Sequence, residues 1–283
     1  MDMNEKILYI KKNYGWKIKD ESFARKILRE LSPFHLRNYS LQFLQLGKNP
    51  SFEEVYSIYL TDKKLKDFIL SYLGPIELRF RNVLGTVLDD AFGTYGYLEK
   101  ENFKKDNFHK NFLDDFAREV KRANEPYVLY YKEKKEGRFP VWVMVEMLSF
   151  GDLSKLYANL YRQEQKEVSG KYHVKSEQIF KSFFHSFTIL RNTCAHHGRL
   201  YDRSFPVACA IHHSDKKRME YKGGKELNPY MLFAMILAIC HVIDGENQEG
   251  FMDGLAKILY ENPSYYIEKV NFPSNWRNVL EEV

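Results

Sequence analysis

"SEQIFKSFFHSFTILRNTCAHHGRLYDR", residues 176–203, decides what kind of chain this is. Its apolar residues Ile179, Phe183, Phe187, Leu190 and Cys194 recur at three- and four-residue steps, which places them on one stripe of an α-helix. At ~100° per residue, Asn192 and His196 lie at i and i+4 on one face, and Arg199 would follow if the helix persisted. Arg191 and His196 are separated by ~140° on the same wheel. The polar residues therefore point away from the local core, toward a cleft or another surface.

The same helical period runs outward in both directions. In "DESFARKILREL" the apolar residues fall at helical spacing behind Asp20, a suitable N-cap. "SFEEVYSIYL" opens on Ser51 with Glu54 three residues on, a capping-box signature. Leu65, Phe68, Ile69 and Leu73 continue as a helix that Pro75 is expected to break or restart. "YLTDKKLKD" (59–67) reads as a solvated face, and Trp142 and Phe150 as core. Pro140 sits where a helix should begin, with "VWVMVEML" after it, and "SFGDLSKLYANLY" carries the pattern past Gly151. A short hairpin is the loose expectation for 206–226, around Gly223 and Gly224, and Asn228–Pro229 marks a further helix start. Strand signals are few. The expected fold is all-α, a helical bundle with additional helices. Pro126, Gly137, Pro140 and a charge run set residues 126–140 apart as a basic connection. It divides an N-terminal helical region, 1–125, from a C-terminal one, 141–283, the whole packed as one unit.

Bulk composition narrows the function classes. The 283 residues are long enough to bury a substantial core. Hydrophobic residues make up 44%, so disorder is not the default, and 16% aromatics supply rings for a core or for base stacking. The +5 balance permits a polyanionic partner without requiring one. "YYKEKKEGRFP" (130–140) and "DKKRMEYKGGK" (215–225) are locally basic with tyrosines, either solvated loops or a groove that tracks phosphates. Three scattered cysteines imply a reducing compartment. The charged start lacks a signal peptide's apolar run, and the apolar run 230–243 is shorter than the roughly 20 residues of a bilayer span. A cytoplasmic protein with no membrane partner is the expectation. Phosphate loops of Walker or dinucleotide type and a G-x-S-x-G elbow are missing from the sequence.

The residues at 191–203 allow a specific chemistry. Histidine exchanges protons near neutrality, arginine offers a permanent planar fork to phosphate oxygens, and asparagine orients either. Together they suit RNA cleavage by the substrate's own 2′-hydroxyl, which requires no metal or other cofactor. One histidine contributes on the order of 10²–10⁴-fold, so a second copy facing the first across a dimer would supply both an acid and a base.

"RNTCAH", Arg191 to His196, has the R-x4-H form of the HEPN ribonuclease motif. "LRNTCAHHGRLYDR" resembles the hallmark of the bacterial abortive-infection AbiD/AbiF-like family. Residues 57–82, "SIYLTDKKLKDFILSYLGPIELRFRN", and 142–157, "WVMVEMLSFGDLSKLY", resemble two earlier segments of that family in the same order. The resemblance covers about residues 15–205. It implies an all-helical HEPN-type protein, homodimeric, cutting RNA in phage defence, with a small RNA or an antitoxin as a further partner. By position it makes Arg191 and His196 the catalytic pair and Asn192 the assisting residue. His197, Arg199 and Arg203 then belong to substrate binding or local structure.

Plainer readings stand beside this one. The Arg-Asn and His-His pairs also fit a helix end bonded to its loop, where histidine favours the dipole. A non-catalytic RNA- or partner-binding module is a second alternative. A metal nuclease using His196, His197, His212, His213 and Cys209 is a third, but adjacent histidines diverge on a helix and no H-E-x-x-H is present. Cys194 reads as a small core residue rather than a nucleophile. Glu77, Arg79 and Arg81 form a second charged cluster. Glu77 and Arg81, at i and i+4, are either a surface ion pair or support for the cleft, holding the catalytic helix or contacting RNA.

Overall fold

A computed structural model describes residues 1–221, 227–261, 267, 269–281 and 283. Among these the regular elements are helical and no strand forms; the β-type pairings are two isolated bridges. In chain order the α-helices are α1 (Met3–Tyr9), α2 (Glu21–Glu30), α3 (Pro33–Arg37), α4 (Leu41–Gln45), α5 (Phe52–Phe92), α6 (Asp106–Arg122), α7 (Pro126–Lys134) and α8 (Val141–Met147). They continue as α9 (Phe150–Asn159), α10 (Arg162–Gly170), α11 (Glu177–Ala195), α12 (His213–Tyr221), α13 (Leu232–Cys240), α14 (Gly245–Tyr260) and α15 (Trp276–Leu280). No helix among the described residues is long and apolar enough to cross a membrane.

Several ends follow directly from capping chemistry. Asp20 accepts from the Phe23 N–H at the start of α2. Ser51 and Glu54 form a complete capping box at the start of α5, each side chain bonded to the other's backbone N–H. Ser149 and Ser176 cap α9 and α11. The residues of α13 are all buried, as their unbroken apolar character requires.

The axis of the fold is α5. Its 41 residues span about 60 Å at 1.5 Å per residue. Helices α3, α8, α9, α10, α11 and α14 all pack on it. Contrary to expectation, Pro75 neither ends nor restarts the helix; it lies inside it. Proline removes one backbone hydrogen bond there. The buried residues Ile69, Leu73, Ile76 and Phe80, on both sides of the break, keep the helix pressed into the core. Gly85 lets α8 approach closely, because a Cβ at that position would sit 3.1 Å from Val145 Cγ2.

Helix α11 lies antiparallel to α5. The Phe80 ring packs 4.1 Å from that of Phe184, Glu77 meets Arg191, and Asp62 reaches the backbone of Leu200. Ile179 is partly buried, while Phe183, Phe187, Leu190 and Cys194 are fully buried, as the stripe predicts.

Further expectations are corrected. Trp142 is 50% exposed, whereas Phe150 is buried. Val145 and the Trp142 backbone meet Gly85, and Trp142 is left half exposed. The pattern past Gly151 is helical as expected: α8 stops at Leu148 in extended backbone and α9 starts behind Ser149 and runs through Gly151. The helix after Asn228–Pro229 begins at Leu232, because Asn228 Oδ1 accepts from the Tyr230 N–H in a turn. In the expected hairpin region 213–221 are helical, and the Gly223–Gly224 turn lies outside the described residues.

Contrary to expectation, "YLTDKKLKD" is not a solvated face throughout. Lys63 and Lys64 are exposed, but the side chains of Asp62 and Lys66 are 0% and 4% exposed. The Asp62 carboxylate accepts from the Tyr39 hydroxyl at 2.8 Å and the Tyr201 N–H at 2.8 Å. It also accepts from the Leu200 N–H at 3.2 Å and pairs with Lys66 Nζ at 3.3 Å. A buried charge persists only when partnered in this way. One carboxylate thus ties the segment after α3, the helix α5 and the chain leaving α11. Asp62→Ala is expected to lower the unfolding free energy by about 3–5 kcal/mol, because it strands a buried ammonium and several donors. Lys66→Met is expected to cost less, since Asp62 keeps its hydroxyl and backbone donors. Urea denaturation of both variants checks the order; an equal or reversed cost contradicts the role given to Asp62.

Candidate functional site

The candidate residues sit where α11 ends. His196 is the C-cap, and the next residue, His197, turns into the left-handed region with φ 56°. The His197 N–H bonds to the Cys194 carbonyl at 3.2 Å, and the Gly198 N–H to the Thr193 carbonyl at 2.7 Å. This is the Schellman pattern, with histidine at the position glycine usually takes. Gly198 is required by space, since a Cβ would lie 2.9 Å from both Thr193 Cγ2 and the Thr193 carbonyl oxygen. Beyond it, Arg199 Nη1 donates to the Asn38 carbonyl at 3.0 Å, and Asp62 receives the next two N–H groups. The end of α11 is therefore clamped from both sides.

Arg191, Asn192 and His196 occupy the outer side of this clamped end. Arg191 is half-buried, with its side chain 40% exposed, and its Nε lies 3.6 Å from Glu77 Oε2. Its Nη1 donates to Asn192 Oδ1 at 3.2 Å. His196 is exposed, and among the described residues its ring takes no hydrogen-bond or ion-pair partner. Arg191 and Asn192 are thus brought together, and His196 stands one turn beyond Asn192 without touching Arg191.

Glu77 belongs to this group. Its side chain is 13% exposed, and its other oxygen, Oε1, lies 3.2 Å from Arg81 Nη2. Arg81 also donates to the Leu148 carbonyl at 2.9 Å and faces Glu146 at 3.8 Å. One carboxylate on α5 consequently holds two arginines, one of them on α11. Arg79 does not join them. Two residues from Glu77 on a helix is almost the opposite face, and there Arg79 pairs with Asp244 at 2.7 Å and lies over the Tyr172 ring.

His197 is exposed beside the N-terminal helices. His35 is held below the usual imidazole range, first by burial, then by the nearby charges of Lys66 and His197. Arg203 lies over the Phe205 ring at 5.5 Å. Cys194 is buried, and burial followed by the Asp62 charge pushes its thiol up to about 12, which disqualifies it as a nucleophile near neutrality. His212 bonds to Ser214, and its ring lies 5.4 Å from and tilted to that of His241, which pairs with buried Asp215 at 2.9 Å. Cys209 is buried. Among the described residues, no three His, Cys, Asp or Glu side chains are grouped as a metal site.

Tyr39, Asp62, Lys66 and His35 were not singled out from sequence. Asp62 and Lys66 have the i, i+4 spacing of a surface ion pair, and nothing in that spacing distinguishes a buried pair from an exposed one.

The cap geometry yields a test. Gly198→Ala is expected to cost about 1–3 kcal/mol, because backbone and Thr193 must move aside. His197→Gly is expected to be neutral or to add up to about 1 kcal/mol, since glycine accepts the left-handed backbone. Thermal denaturation of the two variants checks both signs; stabilisation by Gly198→Ala would contradict the cap.

Comparison with known proteins places these residues within a family. A family model described as "Abi-like protein" matches residues 26–202, more than half of the chain. The match takes in α5, the whole of α11, its Schellman end and the Asp62 contacts with Leu200 and Tyr201. No curated protein and no solved structure matches the chain. The chain belongs to the Abi-like family of abortive-infection proteins.

Proposed function

We propose that the protein is a metal-independent endoribonuclease of HEPN type, acting in abortive infection, with Arg191, Asn192 and His196 as its working residues. The observation that carries this reading is the clamped end of α11. There an arginine is steadied by a carboxylate, an asparagine touches it, and a histidine lies open to solvent one turn away.

The chemistry follows from those groups. The 2′-oxygen of a bound ribose attacks the adjacent phosphorus, and its proton passes to an imidazole. The bond from phosphorus to the 5′-oxygen breaks, and that oxygen takes a proton from an imidazolium. The products are a 2′,3′-cyclic phosphate and a 5′-hydroxyl. Arg191 supplies a planar cation for the negative charge that develops on the phosphoryl oxygens. Glu77 holds the arginine without neutralising it alone, since its carboxylate is shared with Arg81. Base and acid are required at the same phosphate, and each chain brings a single His196. A homodimer that sets two α11 ends face to face supplies both roles.

Labelled single-stranded RNA incubated with purified protein tests this reading. Cleavage is expected to persist in EDTA. Arg191→Ala and His196→Ala are each expected to reduce it by about 10²-fold or more. Activity abolished by EDTA would replace this reading with a metal-dependent one. Cleavage unchanged in both variants would remove the site assignment. Tight RNA binding without cleavage would reduce the protein to a binding module.

A further inference from the structure

Next to the Arg191 end of the site lies a face that the proposed chemistry does not use. Tyr127 and Tyr130 stand at i and i+3 on α7 and are 41% and 49% exposed. Trp142, at the start of α8, is 50% exposed. Tyr95 is exposed too, with the Arg138 guanidinium 5.2 Å from its ring centroid. The Tyr127 hydroxyl is held above its usual range, first by partial burial and then by Glu125 and Glu146, against the opposing influence of Arg81. Tyr127 therefore lies within electrostatic reach of the Arg81 and Glu146 side chains. Glu146 is one turn from Trp142 on α8, and Arg81 shares Glu77 with Arg191. The exposed rings and the candidate site are thus linked through named neighbours.

We propose that this face, formed by Tyr95, Tyr127, Tyr130, Arg138 and Trp142, is a platform on which bases of single-stranded RNA stack as the strand approaches Arg191. The inference rests on the ribonuclease reading and adds a substrate form and a binding surface to it.

Four arguments favour a single strand. The rings are rigid and amphipathic, each with a polar edge and an open face. Unpaired bases offer π-faces to such rings, whereas a duplex keeps its bases stacked inside. Cations accompany the rings: Lys134, Lys135 and Arg138 are exposed in and after α7, and arginine beside an aromatic ring adds a cation–π surface for bases. Exposed acids, Glu125, Glu133 and Glu136, alternate with them. These charges balance, so the rings and Arg138, rather than net charge, supply the attraction, which suits a strand held by stacking over a duplex held through its phosphates.

The protein carries its own reporter for this contact. Its three tryptophans are Trp16, Trp142 and Trp276; the first and last are 2% and 1% exposed, so solvent-facing emission comes from Trp142. A 2′-O-methyl oligonucleotide, which cannot be cleaved by 2′-attack, is titrated into the full chain while tryptophan emission and the anisotropy of an end label are followed together. The expected result is quenching that saturates with the anisotropy change and vanishes in Trp142→Phe. Tyr127→Ala and Tyr130→Ala are expected to weaken binding about tenfold each with unchanged melting temperature. Binding by anisotropy with no change in Trp142 emission overturns the platform and leaves the ribonuclease reading standing. Equal quenching by a duplex of the same sequence also overturns it. Emission that shifts with protein concentration alone assigns the face to a second copy of the chain instead. No binding of any oligonucleotide removes the platform and the ribonuclease reading together.

Discussion

The buried Asp62 carboxylate is the constraint on which the arrangement depends. A charge fully removed from water survives only with strong partners, and Asp62 has them from three parts of the chain: Tyr39, Lys66, and the backbone of Leu200 and Tyr201. The consequence is directional. The chain leaving α11 must return to α5 four residues after His196, at a fixed level along it. Arg199 reinforces this by reaching Asn38. A polar loop that would otherwise drift over the surface is held in one path, and the last turn of α11 is held with it.

At the other side of that turn, Glu77 performs the matching task. It sits about four turns along α5 from Asp62 and receives Arg191 from α11. The two carboxylates act differently because their exposures differ. Asp62 is sealed and structural. Glu77 is near the surface and divided between two arginines, so Arg191 is oriented yet still 40% exposed. Between these anchors, Asn192 and His196 face outward. A long, well-buried helix supplies the rigidity, and Pro75 does not compromise it because core residues flank the break.

Much of this was legible in the sequence where local chemistry dictates structure. The capping box at Ser51 and Glu54, the Asp20 cap and the apolar stripe of α11 are short-range patterns, and each appears as expected. The helix wheel set Arg191 apart from Asn192 and His196, whereas in the structure the long Arg191 side chain reaches Asn192. The sequence was silent where distant segments decide. The spacing of Asp62 and Lys66 looks like an exposed pair, and only the arrival of Tyr39 and the 200–201 backbone makes it a buried one. Trp142 has the composition of core, but α8 meets Gly85 through Val145 and the Trp142 backbone and leaves Trp142 half exposed. Glu77, Arg79 and Arg81 are neighbours in sequence, yet the helix separates Arg79 from the other two.

The proposed function sets RNA strand scission by the substrate's own 2′-hydroxyl at the outer end of α11, between these anchors. The most direct measurement uses an RNA that the protein cuts, resynthesised with one 2′-deoxy nucleotide immediately 5′ of the mapped scissile phosphate. This RNA is expected to be bound but not cut at that bond, while cleavage elsewhere continues. Cleavage at the deoxy-substituted bond at an unchanged rate would show that the nucleophile comes from outside the substrate and would contradict the mechanism assigned to Arg191 and His196.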